Sequence, residues 1–75
     1  MSIVFDYSKL KGKVVEKFGT QINFIKQINM SEPTFIKKIN GEGYFTQKEI
    51  CEILYILQVE LNEFNIYNYF YCIKS

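Results

Sequence analysis

Apolar residues recur along this chain at spacings of three and four, the period of helices that bury one face. Tyr7, Leu10, Val14 and Phe18 predict a first helix over 7–18, with Val15 flanking the stripe and Gly19 closing it. Asp6 or Ser8 stands where a cap is needed. Gly12 sits inside this helix at a propensity cost of ~1 kcal/mol, which hints at close packing. Thr20 caps a second helix opening at Gln21, with Ile25 and Ile28 inward and Ile22 or Phe24 joining them. A third helix over 32–39 buries Phe35 and Ile39, lays the Lys38 stem along that interface and leaves Ile36 exposed.

The fourth helix has the best-marked start. Thr46 and Glu49 make a capping box, and Phe45 with Ile50 makes the hydrophobic staple. Ile50, Ile53, Leu54 and Leu57 form its core face, and Gln58-Val59-Glu60 breaks it. A fifth helix over 61–70 follows, with Phe64 and Tyr67 inward, Phe70 near its end, and Glu60 and Glu63 at cap and N3 spacing. Residues 1–5 are short, apolar and partly β-branched, which suits an arm, an edge strand or a cover over the core. The sum is an all-α chain of five helices forming one domain over 1–75.

Within it, residues 21–41 read as two short helices around a tight turn at Asn29-Met30-Ser31. Ser31 suits the cap of the second, and Pro33 is tolerated in its first turn. Asn29 and Gly41 suit left-handed positions closing the two helices. This is the spacing of a helix-turn-helix, whose second helix reads the DNA major groove. Any helix pair in a small bundle gives similar spacing.

Gln21, Ile25 four residues later, Asn29, the Ser31 cap and the closing Asn40-Gly41 resemble the helix-turn-helix of the phage Cro/CI repressor class. The opening FDYSKLKGKVVEKFGTQ and the later FTQKEICEI more closely resemble short phage proteins described as Cro-like repressors. The resemblance covers nearly the whole chain and implies a compact lambda-repressor-like fold, with the helix-turn-helix unit at 21–40. The wider class prefers Ala where this chain has Ile25 and Gly where it has Asn29, so the two helices should stand slightly further apart.

Charge changes the picture. The formal net charge is only +1, but residues 1–41 hold seven Lys against three acids, and residues 42–75 hold two Lys against five Glu. The basic half carries the helix-turn-helix, the sign a phosphate backbone requires. Arginine is absent, so lysine must supply any cationic contact. With Phe35 and Ile39 inward, Glu32, Pro33, Ile36 and Lys37 lie on or near the outer face of the third helix. The resemblance matches Glu32, Pro33 and Lys37 to base-reading positions, with Ile36 adjacent. Lys37 would donate to guanine, Glu32 would accept from cytosine, and Pro33 and Ile36 would touch thymine methyls. Glu32 serves equally as a first-turn anion on the helix dipole. Gln21 and Asn40 resemble phosphate-positioning residues, Asn40 doubling as a C-cap. Thr34 suits a phosphate contact or a local cap, and Lys38 joins the backbone set. Lys9, Lys13 and Lys17 form an i,i+4 series that reads as a solvated face.

Hydrophobic residues make up 48% of the chain and aromatics 17%, more than a core this small absorbs. Tyr55, Ile56, Tyr69, Phe70, Tyr71 and Ile73 are therefore the dimerisation candidates, with Phe70 inside and Tyr55, Ile56 and Tyr71 shared. Cys51 and Cys72 with no histidine build neither a zinc site nor a disulfide framework. Nothing marks a catalytic centre, a cofactor site or a small-molecule site. No apolar run spans a membrane and no secretion signal opens the sequence, so a bacterial cytoplasmic location is expected. The expectation is a homodimeric Cro-like repressor binding double-stranded DNA at a palindromic operator. The alternative is a helix-turn-helix frame retained as a protein-interaction module with weak or no DNA binding.

Overall fold

In a computed structural model the described residues are 5–73, and they form five helices. These are α1 (Ser8–Phe18), α2 (Gln21–Ile25), α3 (Glu32–Ile39), α4 (Gln47–Leu57) and α5 (Glu63–Phe70). The fold is all-α and of helix-turn-helix type. Helix α1 packs on α2, α4 and α5, and α2 packs on α3. Of the opening segment, residues 1–4 lie outside the described residues. Phe5 forms an isolated antiparallel bridge with Ile73, and the Asp6 amide donates to the Cys72 carbonyl at 2.6 Å. Both ends of the described chain are thereby joined.

The core follows the helical stripes. Tyr7, Leu10 and Val14 are buried on α1, and Phe18 is half-buried at its end, but Val15 points outward, 48% exposed. Phe24, rather than Ile22, joins Ile25 inside, together with Phe35, Ile39, Ile50, Ile53, Leu54 and Leu57. Aromatic rings thread this core in edge-to-face and tilted contacts. Phe24 meets Phe18 at 5.2 Å and Phe35 at 5.5 Å, and Phe45 meets Phe35, Tyr7 and Phe70 at 5.9, 5.4 and 5.5 Å. Such tilted contacts match ring edges to ring faces.

Four local expectations are corrected. Gly12 is exposed, and a Cβ built there meets nothing within 4 Å, so the fold does not need glycine at that position. Asn29 is not left-handed: Gln58 is the one described non-glycine residue with positive φ, 59°, closing α4 as its αL cap. Helix α2 instead ends at Ile25, and residues 26–31 connect it to α3 through tightened turns. The Gln27 amide donates to the Phe24 carbonyl and that of Ile28 to Ile25, three residues back. Ile28 remains buried, held by the turn rather than by a continuing helix.

The last correction concerns α5. Its cap is Asn62, whose side chain accepts from the Asn65 amide at 2.8 Å, not Glu60. The later start turns Ile66, Tyr69 and Phe70 towards the core and leaves Phe64 and Tyr67 outside, 75% and 56% exposed. Glu60 serves the same corner through its carbonyl, which accepts from the Asn65 side chain at 2.7 Å.

Candidate functional site

The outward face of α3 is where sequence reasoning places its contacts. Glu32, Pro33 and Lys37 are exposed there, but Ile36 is half-buried and packs against the core. Ile36 follows Phe35 on the helix, and its branched chain reaches the edge of the same interface. Ser31 does not cap α3 with its side chain; its hydroxyl donates to Thr34 Oγ1 at 2.8 Å. Asn40 is the exposed C-cap, and Gln21 is the half-buried first residue of α2.

Lys38 is committed elsewhere. Its ammonium donates to Glu49 Oε1 at 2.8 Å and Oε2 at 3.1 Å, and both side chains are less than a quarter exposed. The same carboxylate accepts from the Thr46 amide at 2.8 Å, completing the α4 capping box. Burial pushes the Glu49 carboxyl up, but its hydrogen bonds to Lys38 and Thr46 and the Lys38 charge outweigh that and hold it below its ordinary value. Lys37 is thus the one exposed cation that α3 offers. The pairing spans eleven positions, so no local motif announces it.

The expected dimerisation set divides. Phe70 is buried, while Ile56 and Tyr69 are half-buried against the core. Tyr55, Tyr71 and Ile73 are exposed, and Tyr71 meets the Phe5 ring edge-on at 5.5 Å. Two grooves border this surface. One, about 330 Å³, lies between α4 and α5 and is lined by Gln47, Ile50, Cys51, Leu61, Ile66 and Tyr71. The other, about 530 Å³, lies between α1 and α5 and includes Gly12, Lys9, Lys13 and Phe64. Among the described residues no group of three or more His, Cys, Asp or Glu is placed to hold a metal ion. No described helix is long and apolar enough to cross a membrane.

Residues 3–72 match the protein family described as "Protein of unknown function (DUF739)". The chain belongs to this family. No curated protein matches it. Among solved structures it is similar to the solution structure of the modulator of repression (MOR) of the temperate bacteriophage TP901-1 from Lactococcus lactis. Identity is 38% and the TM-score 0.73, over 91% of this chain and 89% of that one. The chain is therefore an all-helical DUF739 protein, similar to a phage modulator of repression rather than to a catalyst.

That relation overturns the Cro-like reading. A modulator of repression acts on a repressing system, whereas a Cro-like protein is itself the repressor on its operator. The double-stranded DNA partner and the homodimer on a palindromic site fall with that reading. The α3 face gives the physical reason, because it presents Glu32 first, ties Lys38 to Glu49 and leaves Lys37 alone against phosphate.

Proposed function

We propose that this DUF739 chain is a protein-interaction module that adjusts phage repression by binding another protein, using the helix-turn-helix frame as a scaffold. The observation that carries the reading is its similarity, at 38% identity over 91% of the chain, to a modulator of repression. Its surface supports the same view. Among the described residues nine large apolar side chains are exposed, including Tyr55, Phe64, Tyr67 and Tyr71. Exposed aromatics favour protein contacts, where their burial yields more than it does on a phosphate backbone.

The test pairs two measurements. A two-hybrid screen against every open reading frame of the parent phage should return a protein partner. Selection from a random duplex pool at low salt should enrich no sequence with this chain alone. An enriched duplex together with an empty screen overturns the proposal.

A further inference from the structure

Two features that weaken the isolated fold meet in one groove between α1 and α5. Gly12 lies mid-helix, where glycine is unfavourable, yet a Cβ there would meet nothing within 4 Å. Phe64 stands beside it 75% exposed, although it lies on a helix with a buried face. Neither is explained by packing within the chain. Both are explained by a second backbone approaching α1 closely, which a missing side chain permits, and by an apolar residue covering the Phe64 ring.

We infer that this groove docks an acidic amphipathic helix of a partner protein, seated over Gly12 with an apolar side chain against Phe64. The inference rests on the reading of the chain as a protein-interaction module and names its surface and the chemistry of its partner. Charge selects the occupant. The α1 rim carries Lys9 and Lys13 against the single acid Glu16. Glu16 is partly neutralised by Lys13 at 3.5 Å. From α5 the groove receives Asn65 and Asn68 and no acid. Lys9 donates to Asn68 Oδ1 at 3.1 Å across the groove, an exposed neutral contact that a carboxylate displaces with gain of charge. The opening, about 530 Å³, is a trough rather than a closed cavity, which suits a chain segment.

The experiment titrates the isotope-labelled chain with synthetic amphipathic helical peptides of about four turns. One carries glutamates flanking a leucine stripe, and its counterpart carries lysine at every glutamate position. The acidic peptide should bind at least about tenfold more tightly and shift the resonances of Gly12, Lys13 and Phe64. G12Q, which fills the trough, and F64A should each weaken it by about tenfold while circular dichroism shows an intact fold. Equal affinity for both charges, no binding of the acidic peptide, or shifts centred on α3 or on the α4–α5 groove overturns the inference. The titration needs no natural partner, so an empty two-hybrid screen counts against the module reading alone. A natural partner held at full strength by both G12Q and F64A overturns the groove and leaves the module standing.

Discussion

Lys38 and Glu49 meet at 2.8 Å, joining the last turn of α3 to the first turn of α4. One carboxylate closes the capping box of α4 and also neutralises a lysine that a DNA-reading unit would aim at phosphate. The contact therefore stabilises the fold and withdraws charge from the α3 face at once. With both side chains less than a quarter exposed, the pair is better shielded than an ordinary surface ion pair.

Acid should reveal this pair. Glu49 has a folded-state pKa below its unfolded value, so its contribution is present above the ordinary glutamate range and fades as pH falls through the folded pKa. E49Q keeps an oxygen to accept from the Thr46 amide but loses the charge facing Lys38, so it should lower stability near neutral pH by about 0.5–1 kcal/mol and should flatten the acid side of the stability curve. Urea unfolding of both proteins across the acid range checks it, and an unchanged slope would refute it.

The alkaline side has a separate sensor. Burial, with the nearby Tyr71 and Tyr44, raises the Tyr7 pKa. The unfolded chain then releases this proton more readily, so stability should fall as pH rises above the ordinary tyrosine value and through the folded one. Y7F should reduce that loss, read from thermal melts at increasing alkaline pH.

Phe45 holds three parts of the core together, touching the rings of Tyr7, Phe35 and Phe70. Truncation to alanine should cost ~3–5 kcal/mol, a large share of what a domain this small possesses. F45A should show a far lower urea midpoint than wild type. A shift of only a few tenths of a molar would mean that the neighbouring rings close the cavity.

Much of this fold was legible because its signals are local. The Thr46–Glu49 box and the Phe45–Ile50 pair start α4 where the sequence predicts, since capping chemistry acts within one turn. The α5 face was misread because the cap falls at Asn62, and a helix start displaced by two residues redirects each aromatic after it. Asn29 looked like the left-handed residue, but its amide donates to Glu52 of α4 at 3.2 Å, a tertiary contact invisible in the sequence. The candidate site was less legible still. Lys38 carries no mark of its distant partner, and a helix-turn-helix spacing does not report which lysines remain free.

DNA selection gives a direct check on the α3 face. With Lys37 as its one exposed cation and Glu32 at its start, the face should bind random duplex weakly, and K37A should leave that affinity nearly unchanged. A base-reading lysine would instead cost ~1–3 kcal/mol at one position. Competition with single-base variants at low salt distinguishes the two. Selective loss at one base pair would restore direct readout.

Gly12 offers the sharpest contrast between stability and use. Its position is exposed, lies inside α1 and leaves room for a Cβ. By helix propensity alone, G12A should stabilise the chain by ~1 kcal/mol, raising the melting temperature by about 4–8 °C for a domain of this size. A second backbone seated closely over Gly12 would meet the added methyl group, so G12A should weaken partner binding, though less than G12Q. A stabilised G12A that also binds at full strength would mean that no partner backbone approaches Gly12 closely. An unchanged or lowered melting temperature would mean that the backbone at Gly12 resists alanine, and the propensity argument would fail.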